Sequence, residues 1–81
     1  MTVSLRLFAR AREAAGCAND EFDATDLDEL LAAARTRYGP EFAAVLDSSR
    51  VWVNGEPATE GDDTSLHPGD EVAVLPPVSG G

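Results

Sequence analysis

The sequence has 81 residues, of which 43% are apolar, and a formal net charge of -9. A domain of this size buries only about 60% of the surface that its unfolded chain exposes, which leaves little interior for a catalytic cleft. No basic cluster is present to neutralise phosphates, so the charge argues against a nucleic-acid partner. A protein partner with a basic groove is favoured, and an acidity that serves solubility alone is the open alternative.

The sequence offers neither a membrane span nor an obvious catalytic centre. It has no run of about 18 apolar residues and does not begin like a signal peptide, so a cytoplasmic location without membrane attachment is expected. One cysteine, Cys17, permits no intrachain disulfide, and one histidine, His67, without a cysteine cluster predicts no metal site. A catalytic Ser-His-Asp arrangement and a phosphate-binding glycine loop are also missing. We therefore predict no independent enzymatic activity.

The first part of the chain indicates a strand, a short helix and a second strand. The strand is predicted over residues 3–9, the helix over 10–15 with a stop at Gly16, and the second strand over 20–24. Alternation in the first strand assigns one face to Val3, Leu5, Leu7 and Ala9 and leaves Phe8 on the other. Phe8 is therefore expected to point outward.

The clearest helical periodicity follows. Thr25 or Asp26 can cap the helix at its start, and Gly39-Pro40 ends it. A short helical turn is predicted around residues 42–46. The residues that share one face of the main helix are Leu27, Leu30, Leu31, Ala34 and Tyr38.

The last part of the chain indicates strands joined by tight turns. A strand over 51–53 runs into the turn signal Asn54-Gly55, and a last strand covers 71–75. The element order predicts an α+β domain over residues 1–75, with a sheet covered on one face. Residues 76–81 are predicted to form a flexible tail.

The tail carries the pattern most suggestive of function. A stiff Pro76-Pro77 spacer precedes Gly80-Gly81. Residues without side chains let a backbone enter a narrow channel, and six extended residues reach at most about 20 Å. A terminal carboxylate becomes reactive as a mixed anhydride with AMP, and sulfide would convert that anhydride to a thiocarboxylate. A disordered tail without function is the alternative.

Strand parity also predicts a docking surface. Val72 and Val74 are assigned to the inner face of the last strand. Leu75 is therefore expected to point outward from that strand, as Phe8 is from the first strand. An exposed aromatic side chain and an exposed leucine at the base of a tail are typical of an interface with apolar anchors and a charged rim.

The chain resembles, from end to end, the MoaD-type ubiquitin-like sulfur carriers, the small subunits of molybdopterin synthase. The motifs that carry this resemblance are Leu7-Phe8-Ala9 with Arg12-Glu13, Val53-Asn54, Gly69-Asp70-Glu71-Val72-Ala73, and Pro76-Pro77-Val78-Ser79-Gly80-Gly81. The resemblance implies the β-grasp fold, in which the first and last strands are neighbours. The chain departs from the family pattern at Leu75, where an aromatic residue is common, and at Pro57, where relatives tend to carry an aliphatic residue.

The resemblance also implies a function, partners and site residues. Gly81 would be adenylated with ATP by a ubiquitin-activating-type enzyme, and a sulfurtransferase or a cysteine desulfurase would supply sulfur for its thiocarboxylate. The large subunit of a heterotetrameric molybdopterin synthase would receive the tail and pass the sulfur to cyclic pyranopterin monophosphate. No intrinsic cofactor is implied. The residues implied to enter the channel are Pro76, Pro77, Val78, Ser79 and Gly80, and those implied to contact partners are Phe8, Leu75, Arg12 and Pro57.

Two alternatives to this function remain open at the level of sequence. A related carrier could serve thiamine or amino-acid sulfur transfer, although the tails of such carriers usually lack the Pro-Pro-Val step. The chain could also be a β-grasp interaction domain with an inert terminus. The mass of the chain after incubation with an activating enzyme, ATP and a sulfur source separates a carrier from an inert domain.

Overall fold

The computed structural model describes residues 2–58 and 64–77. Its elements, in chain order, are β1 (Val3–Leu7), α1 (Ala9–Ala15), β2 (Asn19–Phe22), α2 (Leu27–Tyr38), α3 (Pro40–Asp47), β3 (Arg50–Val53), β4 (Glu56–Pro57) and β5 (Glu71–Leu75). The strands form one mixed sheet in the order β2-β1-β5-β3-β4. Only the central pair, β1 and β5, is parallel. The predicted α+β class is confirmed, and the first and last strands are neighbours.

One face of the sheet is buried beneath the helices. Burial alternates along both central strands, so every second side chain points into the core. The buried apolar residues form one cluster, which consists of Val3, Leu5, Leu7, Ala11, Phe22, Ala24, Leu27, Leu30, Ala34, Phe42, Leu46, Leu66, Val72 and Val74. The opposite face, called here the outer face, is turned away from the helices.

The start of α2 shows why the sequence specifies this helix well. The carboxylate of Asp26 accepts a hydrogen bond of 2.8 Å from the backbone N–H of Glu29. In return, the Glu29 carboxylate accepts one of 2.8 Å from the N–H of Thr25. These bonds satisfy donors that a helix start leaves unpaired. Of the two predicted caps, Asp26 is therefore the one used.

The first strand ends earlier than predicted. Alternation placed Ala9 on the inner face of a strand over 3–9, but β1 ends at Leu7 and Ala9 begins α1. Ala9 has a φ of 50°, in the left-handed region, which ends the extended backbone. The carbonyl of Phe8 then accepts a hydrogen bond of 3.0 Å from the N–H of Ala11. The predicted position of Ala9 was wrong, and this residue is exposed.

Other elements also differ from the predictions. The second strand, predicted over 20–24, is Asn19–Phe22, and the helical turn predicted at 42–46 is the full helix Pro40–Asp47. Proline at the first position favours a helix start, which explains the extension toward the N-terminus. The strand Glu56–Pro57 was not predicted, because its two residues are too few to show a period.

A side-chain clamp fixes the start of β5. Asn54 and Gly55 form the β3–β4 turn with positive φ angles of 51° and 82°. The side-chain oxygen of Asn54 accepts a hydrogen bond of 2.9 Å from the backbone N–H of Glu71. The side-chain NH₂ group of Asn54 donates a hydrogen bond of 3.1 Å to the Asp70 carboxylate. Asp70 also accepts the backbone N–H of His67 at 2.8 Å. These bonds join the β3–β4 turn to the start of β5.

A second cluster ties β2 to the end of α2. The Tyr38 hydroxyl donates a hydrogen bond of 2.6 Å to Asp20, and the Arg37 guanidinium lies 3.1 Å from the same carboxylate. Arg37 also stacks over the ring of Phe22 at 3.9 Å. The hydrogen bond from Tyr38, with smaller contributions from Glu21 and Arg37, lowers the pKa of Asp20 despite its partial burial. Burial and the bond to Asp20 raise the pKa of Tyr38.

This cluster predicts a loss of stability in acid. Because the pKa of Asp20 is lower in the folded state than its ordinary value of 3.8, its contribution is present above that value and is lost as the pH falls through the folded pKa. We expect Asp20→Asn to flatten the pH dependence of the unfolding free energy below about pH 4. Urea unfolding followed by circular dichroism from about pH 6 to about pH 2 measures this.

Tyr38→Phe tests whether the hydrogen bond from Tyr38 is the cause of the lowered pKa of Asp20. It keeps the ring contacts with Phe22 and Phe42 and removes the hydroxyl, which donates to Asp20 and accepts a weak hydrogen bond from Cys17. Without this donor the folded pKa of Asp20 should rise toward 3.8, so the difference between its folded and unfolded pKa narrows and the loss of stability in acid should be smaller than in the wild type. An unchanged pH profile in both variants would contradict the assignment.

Candidate partner-binding surface

The register of the sheet builds a row of side chains across the outer face. Residues directly opposite each other on paired strands point to the same side. Read across β1, β5, β3 and β4, one such row consists of Arg6, Ala73, Trp52 and Pro57. The Arg6 end of this row is polar, because Arg6 forms an exposed ion pair of 3.7 Å with Glu71. The other end is apolar.

Phe8 and Leu75 lie at the end of the sheet from which the tail leaves. Phe8 has an extended backbone and is 42% exposed, so its predicted outward orientation is confirmed. Leu75 pairs with Arg50 of β3 and is half-buried between the buried residues Val74 and Pro76. In the pairing of β1 with β5, Leu7 lies opposite Val74, so Phe8 and Leu75 each directly follow the last residue of that pairing in their chain segment.

The structure adds one large residue to this surface. Trp52 lies on the outer face between Ala73 and Pro57 and is half-buried. Sequence reasoning assigned Trp52 to a strand without asking which way it points. The available signal was its position between Val51 and Val53, because alternation places the tryptophan on the face opposite to both valines.

The other predicted site residues are distributed differently. Pro57 is exposed on the edge strand β4, a position that suits a residue without an N–H donor. Arg12 is exposed on α1, in the helix layer, and is not part of the outer face. Its predicted contact with a partner stays a prediction.

The described chain ends where the tail begins. Pro76 is buried, continuing the alternation of Val72 and Val74, and Pro77 is exposed. The remaining tail residues, Val78, Ser79, Gly80 and Gly81, lie outside the described residues, so the predicted roles of the whole tail stay predictions.

Cys17 and His67, the other groups with possible chemistry, lie away from the outer face. Cys17 is partly buried and donates a hydrogen bond of 3.7 Å to the Tyr38 hydroxyl. The His67 side chain is exposed in the turn before β5. Within residues 2–58 and 64–77, no group of three or more His, Cys, Asp or Glu side chains is placed to hold a metal ion. None of the helices described has the length and apolar character needed to cross a bilayer.

Comparison with known proteins identifies the family. Residues 5–81 match the ThiS family. The chain belongs to the ThiS family. It is 33% identical over 84 residues to the molybdopterin synthase sulfur carrier subunit of Chlamydomonas reinhardtii, and the match covers 100% of both chains. The resemblance drawn from the sequence motifs is therefore confirmed.

Two solved structures resemble this ThiS-family chain closely. Small archaeal modifier protein 1 from Methanosarcina acetivorans superposes with a TM-score of 0.85, at 30% identity over 99% of this chain and 96% of that one. A complex of subunits 1 and 2 of the molybdopterin-converting factor from Helicobacter pylori contains a chain with a TM-score of 0.77, at 30% identity over 100% of both chains. The predicted β-grasp fold is confirmed.

Proposed function

We propose that this chain is the sulfur carrier subunit of a molybdopterin synthase. The observation that carries the proposal is its end-to-end similarity to a sulfur carrier subunit of that enzyme. The fold supports it, because the central strand β5 leads directly into Pro76-Pro77 and the Gly80-Gly81 end. In this role the chain performs no reaction alone and acts as the sulfur-donating subunit of a complex in the cytoplasm.

The proposed chemistry takes place at the carboxylate of Gly81. An adenylating enzyme joins this carboxylate to AMP, and ATP releases pyrophosphate. Hydrosulfide, supplied by a sulfurtransferase or a cysteine desulfurase, then attacks the carbonyl carbon and displaces AMP, leaving a thiocarboxylate. The large subunit admits the tail and shields the thiocarboxylate from premature hydrolysis. Its sulfur then forms a bond to a carbon of cyclic pyranopterin monophosphate as a carbon–oxygen bond of that substrate breaks, and one water cleaves the acyl–sulfur bond and restores the Gly81 carboxylate.

The shape of the domain supports a carrier that docks and inserts. The outer face offers Phe8 and Leu75 near the exit of the tail, with the ion pair of Arg6 and Glu71 on the same two central strands. The formal net charge of -9 favours a partner with a basic surface, since complementary charge accelerates encounter. The Helicobacter pylori complex of subunits 1 and 2 supports a large-subunit partner.

Intact-mass measurement tests the proposal. The chain is incubated with the adenylating enzyme of its own organism, ATP and sulfide. A gain equal to the mass difference between sulfur and oxygen is expected, and the loaded chain should then support molybdopterin formation by the purified large subunit. Omission of ATP is the control and should prevent the gain. A mass that stays constant with ATP would identify an interaction domain with an inert terminus.

Protein modification is a second candidate, favoured by the similarity to small archaeal modifier protein 1. Both functions begin with adenylation, but a modifier transfers its terminal carbonyl carbon to a lysine amine and forms an amide. All six basic residues of this chain are arginines, so it offers no lysine side chain for linking its own copies. Conjugates in a lysate that resist reducing agents would support modification, whereas a thiocarboxylate that is consumed on adding the large subunit supports the carrier.

A further inference from the structure

Trp52 occupies a position that the core does not explain. The partly buried apolar residues that pack against the core include its neighbours Val51 and Val53 but not Trp52 or Leu75. Trp52 therefore covers the outer face of β3, between the methyl group of Ala73 and the ring of the edge residue Pro57.

The setting of Trp52 leaves its indole available to a partner. Ala73 is too small to cover a neighbouring indole, and Pro57 belongs to a two-residue edge strand that is exposed. Trp52, Arg50 and Pro57 also line a groove of about 660 Å³ together with residues of α2 and α3. Trp52 thus belongs both to the outer face and to the lining of this groove.

The same face is continuous with the exit of the tail. Ala73 and Leu75 alternate on the outer side of β5, and Arg50, the partner of Leu75, is two residues from Trp52. With strands about 4.8 Å apart, the distance from β1 across β5 and β3 to β4 is about 15 Å. A standard interface of about 800 Å² per partner is about 30 Å wide. A protein that holds the tail as it leaves β5 therefore reaches Trp52 within one interface of ordinary size.

We propose that Trp52 is an anchor for the molybdopterin synthase large subunit, and that it acts together with Leu75 and Phe8, which lie toward the tail exit. This inference rests on the proposed function and adds a residue and a geometry to it. Tryptophan is enriched among the few residues that dominate binding energy, especially near the centre of an interface. Arg6 lies across Ala73 from Trp52 and pairs with Glu71, and Arg50 lies two residues before Trp52 on β3, so charged side chains flank the apolar residues of this face.

Calorimetry of Trp52→Ala with the large subunit of the same organism tests the proposal. The dissociation constant is expected to rise about 30-fold, as for other anchor residues. Phe8→Ala should also weaken binding. Val51→Ala is the matched control, because Val51 neighbours Trp52 but points toward the helices. It should lower the melting temperature and leave the affinity of the folded protein unchanged.

Fluorine NMR of the wild-type chain is a second test, and it does not depend on whether Trp52→Ala folds. Trp52 is the only tryptophan in the chain, so labelling with 5-fluorotryptophan gives one fluorine resonance. In the wild-type sequence this resonance should shift on addition of the unlabelled large subunit, and its sensitivity to replacing water by deuterium oxide should disappear as the indole is covered.

The outcomes separate this inference from the proposed function. If wild-type chain binds the large subunit but Trp52→Ala binds equally well and the fluorine resonance stays solvent-sensitive, Trp52 is not an anchor, although the carrier function stands. If wild-type chain neither binds the large subunit nor supports molybdopterin formation, the carrier function itself fails. If Trp52→Ala only converts a dimer of this chain to a monomer, the face binds a second copy and the proposal is overturned.

Discussion

Deletion of Gly81 is expected to abolish sulfur transfer while the domain stays folded. The truncated chain still ends in a carboxylate, but that carboxylate lies about 3.5 Å short of its place in the channel. A displacement of only about 1 Å in a reacting group can reduce the rate 100-fold. We therefore expect molybdopterin formation to fall by at least about 100-fold. The unfolding free energy should change by less than about 0.5 kcal/mol, as is usual for changes at a chain terminus.

A reconstituted assay with the purified large subunit measures the transfer, and urea unfolding measures the stability. Ser79→Ala is the matched control, since it alters the tail without changing its length and should keep most of the activity. One glycine added after Gly81 displaces the carboxylate in the other direction and should also inactivate the carrier. Normal molybdopterin formation by the truncated chain would rule out Gly81 as the sulfur carrier.

Replacement of Gly80 by valine is expected to block adenylation. A β-branched side chain restricts the backbone angles that glycine allows and adds a Cβ where a narrow channel must close around the chain. Gly80→Ala, which adds one methyl group, should be intermediate. Pyrophosphate release with the activating enzyme and ATP measures the step, and a loss of at least about 100-fold is expected for valine because the carboxylate is misplaced.

The affinity of Gly80→Val for the large subunit is the control measurement for this variant. Gly80→Val leaves the outer face with Phe8, Trp52 and Leu75 unchanged, so much of its affinity for the large subunit should survive. Ala44→Val places the same side chain at an exposed position of α3 and should be adenylated normally. If Gly80→Val is adenylated at the wild-type rate, the channel does not require a residue without a side chain at this position.

Local signals were reliable where the interactions are local. The helix α2 was predicted from its apolar periodicity and from its N-cap, Asp26, which bonds to the residue three positions later. Both signals depend only on neighbours along the chain. The last strand was predicted with the observed bounds, because turn residues precede it and proline follows it. Ala9 was assigned wrongly because its alternating position said nothing about the change to a left-handed backbone that begins α1.

The sequence by itself determined the α+β class, the main helix, the outward orientation of Phe8 and a glycine-ended tail after a stiff spacer. Each follows from composition, periodicity or turn chemistry within a few residues. Only the tertiary structure decided that Trp52 shares a face with Leu75, and that Asn54 and Asp70 clamp the start of the tail-bearing strand. The pairing of β3 with β5 joins residues about 20 positions apart, and single-strand alternation cannot specify the register between strands.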